Sequence, residues 1–344
     1  MTPAAVVKFR PTAPWRIGDD SGLRDRVQLF YRSDALYSAV THAMGAFGGL
    51  DEWLAATARA SVPEVAFSSV FPFQGDLVFV SPPRTIWPPA LSPKVRWKGA
   101  SLVPLDVVDA LLAGDSLDET LWAVDGSSEC LIPVGRYGPF RIAHRTAAAV
   151  DRLTGALDPH RTACLEFAAG AGMWCAISFA SEEAGARWLG PVQAAFRYLA
   201  DTGLGGERSR GWGRFDNLEF LEGTLPSLLL PRSTLAAESA APPAERLFWL
   251  LSLFVPSAGD AVRWDGGSYQ VVTRAGRVDA AVSSGGLKKL QNMVAEGSVL
   301  AAGAPLIGSA PDVAPDDFPH PVYRCGFAVA VPLPAPAAAP QVVS

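Results

Sequence analysis

Apolar positions in the first part of the chain form short strand-like runs, followed by one helical stripe. Val6 to Phe9 and Val27 to Tyr31 have the composition of strands. Ser33 is a favourable N-cap for a helix that follows, and Asp51 to Arg59 continues with a second helical piece. The apolar stripe of the first helix consists of Leu36, Val40, Ala43, Met44 and Phe47.

The rest of residues 1–230 completes a βαββαβ order. The predicted strands are Glu64 to Phe71, Leu77 to Val80 after the turn Gln74-Gly75-Asp76, Met173 to Phe179, and Phe215 to Leu221. A helix is predicted over Pro191 to Asp201, and 82–161 is a long insertion. We therefore predict an α+β fold whose first domain is a ferredoxin-like (RRM-like) unit. The aromatic signature of ordinary RRMs is missing, so base stacking on an open sheet face is not expected.

The second part of the chain predicts a smaller α+β unit over 246–332. Residues 231–245 are rich in proline and alanine and are predicted to be a linker. Strands are predicted at Leu247 to Val255, Tyr269 to Thr273, Val299 to Ala301 and Val322 to Val331. The tail, 333–344, is expected to be disordered.

A glycine-rich loop, Thr202 to Phe215, holds five glycines and three arginines between a predicted helix and a predicted strand. Walker and Rossmann loops have the opposite order, strand to loop to helix, and no Gly-Lys-Ser/Thr is present, so a nucleotide-cofactor loop is excluded. Glycines permit positive φ and close backbone approach, so we expect free backbone N–H groups of the loop to cradle phosphates of a polyanion beside the arginines that flank a serine. The composition fits equally well a glycine-rich surface turn with solvated arginines.

Charge is segregated along the chain although the net charge is −5. Leu105 to Leu131 holds seven acidic residues and no lysine or arginine, whereas Lys94 to Lys98 and Arg136 to Arg161 are basic. An acidic total argues against a general nucleic-acid binder, but basic faces beside an acidic one permit a dedicated one. The high apolar content of 49% indicates a large core or subunit contacts.

The remaining chemistry-bearing residues are scattered. The four cysteines form no Cys-x-x-Cys pair and lie near no suitably spaced histidine, so we expect reduced core cysteines and no metal or other cofactor. No apolar run is long enough to cross a membrane and no signal peptide is evident, which predicts a cytoplasmic protein without a membrane partner.

Several motifs in the right order resemble one family. The glycine-rich loop is similar to that of the RAMP superfamily, the repeat-associated RNA-binding proteins of CRISPR systems. Six further segments resemble the family of fourth subunits of the Csm complex, the type III-A CRISPR effector. They are Arg32 to Ala39, Lys98 to Pro104, Val150 to Gly155, Tyr269 to Gly276, Lys288-Lys289 followed by Glu296 to Ser298, and His320 to Gly326. The resemblance spans roughly residues 5 to 332.

The resemblance implies a non-catalytic RNA-binding subunit with two ferredoxin-like (RRM-like) units, the second of which would be residues 246–332. Such a protein caps the 5′ handle of the crRNA and bridges the large polymerase-like subunit to the backbone RAMP subunits, without binding DNA directly. Gly135 to Arg145 resembles the approach to a thumb-like hairpin, and the alternative interpretation is a solvated β-ribbon. Trp97 is a further candidate for stacking on a base. Asp34 is expected to cap a helix. The expected RNA-binding residues are Arg32, Ser33, Lys98, Arg141, His144, Arg145, Arg152, Gly203, Gly205, Gly206, Arg208, Ser209 and Arg210.

Two other functions remain open at this point. RAMP endoribonucleases cut precursor crRNA with a histidine near the first helix, where this chain has His42. A two-domain α+β protein without an RNA role is the third possibility.

Overall fold

The computed structural model describes residues 2–19, 22–89, 95–232, 246–278 and 285–334. Nearly all of the predicted linker (233–245) and of the predicted tail (335–344) lies outside the described residues. We call 2–232 the N-terminal region, and 246–278 with 285–334 the C-terminal region.

The N-terminal region combines helices with a large antiparallel sheet. Its elements are β1 (Pro3–Pro11), α1 (Ser33–Ala46), α2 (Leu50–Ala56), β2 (Val65–Phe67), β3 (Phe71–Gln74), β4 (Leu77–Val80), β5 (Val103–Pro104), α3 (Leu105–Leu112), β6 (Trp122–Val124), β7 (Leu131–Pro133), β8 (Phe140–Val150), β9 (Leu157–Phe167), β10 (Ala171–Phe179), α4 (Glu182–Thr202), β11 (Phe215–Thr224) and α5 (Leu225–Leu229). The strand order of the sheet is β11-β1-β10-β3-β4-β5, and β2 also pairs with β10.

Helices α1 and α4 contact each other and bury their apolar stripes. The buried residues of α1 include Leu36, Val40 and Ala43, as the spacing predicted. Phe47 is the exception, because it follows the last turn of the helix and is half exposed.

Two predicted strands differ from the structure. Val27 to Tyr31 is not a strand, because only Tyr31 forms a bridge, to Val70, and the preceding residues belong to an irregular segment. The predicted strand Glu64 to Phe71 is split into β2 and β3, since Ser69 N donates to Leu251 O of the C-terminal region (2.9 Å). A local apolar pattern cannot register either of these distant partners.

Helix α4 begins nine residues before the predicted start. Ser181 is its N-cap and accepts a hydrogen bond from Ala184 N (3.2 Å), and two glutamates occupy the first turn. Pro191 lies inside the helix and does not begin it. Trp188 before the proline and Val192 after it are both buried, so packing on the core holds the two halves together.

The C-terminal region consists of strands. They are β12 (Arg246–Leu250), β13 (Val262–Ser268), β14 (Val271–Arg274), β15 (Gln291–Val294), β16 (Val299–Ala302), β17 (Gly308–Ser309), β18 (Gly326–Phe327) and β19 (Ala330–Pro332). Four of them form a sheet of order β13-β16-β12-β19, and β14–β15 and β17–β18 are separate pairs. Over the described part of this region there is no helix, so the prediction of a second ferredoxin-like unit is not confirmed.

The two regions share the main hydrophobic core, and a second, smaller cluster lies within the C-terminal region. Trp249, Val299 and Phe327 of the C-terminal region belong to the same buried cluster as the helices and large sheet of the N-terminal region. The rings of Tyr37 and Phe327 meet edge to face at 5.7 Å. All four cysteines are free and buried, as predicted for core cysteines. Among the described helices, none is both long enough and apolar enough to cross a membrane.

Candidate nucleic-acid interface

The glycine-rich loop owes its shape to backbone contacts within the protein. Gly213 N donates to Pro14 O (2.9 Å) and Gly206 N to Arg16 O (2.8 Å). A Cβ added to Gly213 would lie 2.0 Å from Leu204 O, and one added to Gly205 would lie 2.4 Å from Arg16 O. The glycines therefore allow the loop to pack against residues 14–16. The expectation that their N–H groups cradle phosphates needs correction for Gly206, and for Gly203, whose N–H donates to Leu199 O (2.7 Å).

The outer end of the loop is a single 3-10 turn, Arg208–Arg210. It is bounded by two residues in the left-handed conformation, Glu207 (φ 59°) and Gly211 (φ 79°). Arg208, Ser209 and Arg210 are all exposed, and Arg210 forms an ion pair with Glu207 at 3.2 Å. The loop thus presents two guanidinium groups to solvent from a fixed backbone.

An irregular segment, described over residues 12–19 and 22–31 and called segment 12–31 below, connects this loop to a long hairpin. Trp15 N donates to Leu165 O (3.0 Å) and Leu165 N to Trp15 O (2.7 Å). Ala163 N donates to Arg24 O (2.8 Å). Since the same segment also holds the glycine-rich loop, loop and hairpin are parts of one surface.

The hairpin consists of β8 and β9, paired in register from Phe140 opposite Phe167 to Val150 opposite Leu157. Phe140 and Leu165 are buried at its base, whereas its outer half is exposed. Residues 151–156 form the tip, in which Asp151 accepts hydrogen bonds from Leu153 N and from the Thr154 hydroxyl, and these bonds lower the pKa of Asp151. The predicted β-ribbon after Gly135 is confirmed, and its role as a thumb stays a prediction.

Two arginines of the hairpin share the carboxylate of Glu166. Arg141 Nη2 lies 2.9 Å from Glu166 Oε2, and Arg145 donates to Glu166 Oε1. His144 Nε2 lies 3.4 Å from Asp25 O. Arg152 is exposed at the tip. All four predicted RNA-binding residues of the hairpin therefore lie on its surface.

The side chains of Ser33 and Asp34, at the start of α1, bond to residues of the C-terminal region. Ser33 is buried, and its Oγ accepts a hydrogen bond from Leu253 N (3.0 Å). Asp34 is buried between Arg324 Nη1 (2.6 Å) and Arg274 Nε (3.1 Å), both to its Oδ2. The prediction that Ser33 is the N-cap is wrong, because Arg32 occupies that position and makes no side-chain cap bond. Asp34 lies in the first turn and its Oδ1 accepts a hydrogen bond from Ala35 N (2.8 Å), as a capping carboxylate would, but it also forms a buried ion cluster with two arginines. Ser33 is also too buried to contact RNA in this structure.

Burial of Asp34 favours its neutral form, but the charges and hydrogen bonds of Arg274 and Arg324 outweigh burial and hold its pKa below the usual value. The three residues come from three separate motifs of the sequence analysis. Their meeting explains the motifs without any catalytic role for Asp34.

A cavity of about 410 Å³ lies between the two regions. Its lining includes Arg32, Arg84 and Lys98 from the N-terminal region and Glu296 and Gly297 from the C-terminal region. Arg32 Nη1 is 2.6 Å from Glu296 Oε2, and Lys98 is exposed. The structure thus brings together two predicted RNA-binding residues, Arg32 and Lys98. Trp97, in contrast, is buried against the ring of Trp87 at 5.4 Å and cannot stack on a base.

Tyr31 connects the cavity wall to the glycine-rich loop. Its hydroxyl donates to Ala35 O (3.3 Å), and the backbone N–H of Gly205 lies near the hydroxyl and favours its ionised form. Burial raises the pKa of Tyr31 to about 12, so the hydroxyl stays protonated at neutral pH. Because Arg32 is its direct neighbour, the loop and the cavity are adjacent.

Sequence reasoning missed Arg16, Arg24, Tyr31 and Arg84, which contact or line this surface. The first three lie in or beside residues that the apolar pattern assigned to a strand or left unassigned.

His42 and His320 line a separate cavity of about 390 Å³. Across the part of the chain that the structure describes, no group of histidine, cysteine and acidic residues could hold a metal ion.

Comparisons with known proteins agree with this architecture. The family model of the CRISPR Csm4 C-terminal domain matches residues 244–333. A chain in the crystal structure of the Csm1–Csm4 cassette in complex with cA4 is 17% identical, with a TM-score of 0.57 over 98% of this chain and 100% of that one. A chain in the Csm3–Csm4 subcomplex of the type III-A CRISPR-Cas interference complex is 14% identical, with a TM-score of 0.64 over 96% and 100%. No curated protein matches the sequence. The resemblance inferred from the motifs agrees with both findings: residues 244–333 match the Csm4 C-terminal domain, and the fold of nearly the whole chain is similar to that of chains in these Csm4-containing structures.

Proposed function

We propose that this chain is the non-catalytic, RNA-binding subunit of a type III-A CRISPR effector that caps the 5′ handle of the crRNA. The observation that carries the proposal is the exposed turn Arg208–Arg210, which the glycine-rich loop fixes beside the basic β8–β9 hairpin. Guanidinium groups bind phosphate through charge-assisted hydrogen bonds, and a fixed backbone reduces the entropy lost on binding.

The hairpin extends the same surface. Arg141, His144, Arg145 and Arg152 are exposed along it, and arginine side chains both pair with phosphates and stack on bases. A strand of RNA that crosses the glycine-rich loop would reach the hairpin through segment 12–31, which bonds to both.

The partner subunits follow from the same resemblance. Solved structures that this fold resembles pair Csm4 with Csm1 and with Csm3. We infer that the present chain likewise joins the large polymerase-like subunit to the backbone RAMP subunit in the cytoplasm. We further infer that the N-terminal region is a ferredoxin-like unit, because its central strands follow the order β11-β1-β10-β3 with α1 and α4 packed together.

The test removes the two cations of the turn. Arg208→Ala with Arg210→Ala should weaken binding of handle-carrying RNA by about two to four decades, since each charge-assisted contact contributes about 1.5–3 kcal/mol. The slope of log affinity against log salt should fall by about 0.7 for each lost contact. Filter binding at several salt concentrations measures both.

Arg263→Ala with Arg277→Ala is the matched control, because it removes two exposed arginines of the C-terminal region and the same net charge. Equal losses in the two double variants would contradict the proposal. Incubation of the chain with precursor repeat RNA in EDTA separates it from the endoribonuclease alternative, which predicts cleavage there.

A further inference from the structure

The cavity between the two regions combines features that the bridging and capping roles leave unused. Residues from three separate motifs line it: Arg32 from the first, Lys98 from the second, and Glu296 with Gly297 from a third. Its volume of about 410 Å³ is in the range of small-molecule sites.

The walls of the cavity differ in chemistry. The Arg32 guanidinium lies 5.4 Å from the centroid of the Phe30 ring, which gives one flat wall. Arg84 and Lys98 are exposed cations on the lining, and Arg84 Nη1 donates to Gln270 Oε1 (3.1 Å). A flat aromatic and guanidinium wall suits a nucleobase, and the two cations suit the phosphate attached to it.

Glu296 acts on the cavity through Arg32. Its side chain is 1% exposed, and its two oxygens accept hydrogen bonds from Arg32 Nη1 (2.6 Å) and from the Ser69 hydroxyl. Glu296 is therefore a positioning residue that holds the Arg32 guanidinium over Phe30.

The backbone around the cavity is fixed by contacts between the two regions. Arg84 N donates to Gly297 O (3.0 Å), and Trp249 Nε1 donates to Ser81 O (3.0 Å). Gly297 has φ +80°, and a Cβ there would lie 2.9 Å from Pro82 O. The cavity therefore needs both regions in place and is built into the fold.

We propose that this cavity binds one nucleotide of the bound RNA strand, with its base against Phe30 and Arg32 and its phosphate at Arg84 and Lys98. The proposal rests on the RNA-binding function, because the strand enters from the glycine-rich loop. The hydroxyl of Tyr31 lies near the Gly205 backbone N–H of that loop, and Tyr31 directly precedes Arg32, so a strand crossing the loop passes the mouth of the cavity. A free nucleoside phosphate has the same chemistry, and the experiment distinguishes the two sources.

The experiment uses the full chain and handle-carrying RNA in which one ribose at a time lacks its base. With the native protein, one position should lose about five- to a hundredfold in affinity when its base is removed, the range expected for a lost stacking contact. Ser268→Phe narrows the cavity from a half-buried lining position, and Lys98→Ala removes a cation without changing the core.

In both variants the native RNA should bind less tightly. In Ser268→Phe, removal of that one base should no longer reduce the affinity for RNA, while the losses of affinity at other positions stay unchanged. Arg59→Ala, at an exposed residue outside the cavity lining, should behave as the native protein does.

Three results would overturn the proposal. If every base position keeps its native loss of affinity in Ser268→Phe and Lys98→Ala binds the native RNA as tightly as the native protein does, while Arg208→Ala with Arg210→Ala still weakens binding, the cavity does not hold the strand and the proposed function stands. If a free nucleoside monophosphate binds with micromolar affinity that Lys98→Ala abolishes, and RNA does not compete, the ligand is a free nucleotide. If the handle RNA does not bind at all, the proposed function and this site fail together.

Discussion

Three consecutive residues at the start of α1 each bond to the C-terminal region. Arg32 pairs with Glu296, Ser33 accepts from Leu253 N, and Asp34 pairs with Arg274 and Arg324. The local pattern of a serine and an aspartate before an apolar stripe predicts a helix cap. The structure gives them different roles because their partners lie 220 to 290 residues further along the chain.

Asp34→Asn should destabilise the protein by about 3–5 kcal/mol, because it leaves two buried guanidinium groups without a balancing charge. Chemical denaturation at neutral pH measures the loss. Asp51→Asn is the matched control, since Asp51 pairs with Arg59 on an exposed surface at 3.5 Å. A loss no larger than that of the control would show that Asp34 is not the centre of a buried cluster.

The same cluster predicts a direction for the pH dependence of stability. The pKa of Asp34 in the folded protein lies below its ordinary value of 3.8, so the unfolded chain binds its proton first as the pH falls. The stability contributed by Asp34 is therefore fully present above 3.8 and is lost as the pH falls through the folded pKa. The native protein should keep its advantage over Asp34→Asn down to about that pH and lose it below. An advantage that already fades between pH 7 and pH 5 would contradict the assignment.

Substitution of two glycines of the loop compares backbone strain alone with backbone strain plus a steric clash. Gly211 and Gly213 have nearly the same φ, +79° and +80°, but only Gly213 has backbone atoms within 4 Å of an added Cβ. Gly211→Ala should cost about 1–2 kcal/mol for a left-handed residue. Gly213→Ala should cost about 1–3 kcal/mol more for the forced contact with Leu204. Equal unfolding midpoints for the two variants would mean that the loop rearranges freely.

At the scale of elements, the periodicity of the sequence located α1, α2 and most strands of the large sheet, but not α3 and β5, which lie in the predicted insertion 82–161. It placed α1 almost at its true bounds, and it found the central strand Ala171–Phe179 and the final strand Phe215–Thr224. It failed for residues 27–31, because Gln28 N bonds to Ile17 O within the irregular segment and only Tyr31 pairs with a strand-like neighbour, Val70. It also gave α4 a late start at Pro191, because the apolar spacing was followed only from Val192 onwards, whereas Trp188 before the proline is also buried in the core.

In the β8–β9 hairpin, removal of one acidic charge should strengthen RNA binding. Glu166 accepts hydrogen bonds from Arg141 and Arg145, so it competes with phosphate for both guanidinium groups. Glu166→Gln should strengthen binding of handle-carrying RNA by a few-fold and steepen its salt dependence, with little change in stability, because exposed ion pairs contribute little. Glu52→Gln is the control, since Glu52 pairs with Arg187 away from the hairpin. Weaker RNA binding in Glu166→Gln would show that the pair orients the arginines instead of competing for them.

At the scale of the whole molecule, the sequence separates two domains where the structure joins two regions through one core. The separation came from a proline-rich stretch, which marks a connection but gives no information on whether the flanking regions pack together. Of the candidate site, the exposed loop and hairpin arginines were predicted from motifs. The cavity and the ion cluster were not, because each is assembled from residues far apart in sequence.

The shared core predicts that the chain unfolds as one unit. Heating should give a single calorimetric transition whose van't Hoff and calorimetric enthalpies agree, because the main core takes buried residues from both regions and only a small cluster lies within the C-terminal region alone. Asp34→Asn should lower that transition without splitting it. Two resolved transitions in the native protein would show that the regions are independent.

The bonds between the glycine-rich loop and residues 14–16 have a consequence for building chimeras. Gly206 and Gly213 donate to Arg16 and Pro14, which lie almost 200 residues earlier in the chain. A loop transplanted alone from a relative with another handle preference would meet a foreign backbone and lose those bonds. The exchangeable unit is therefore discontinuous, and a functional graft has to carry the segment 12–31 together with the loop.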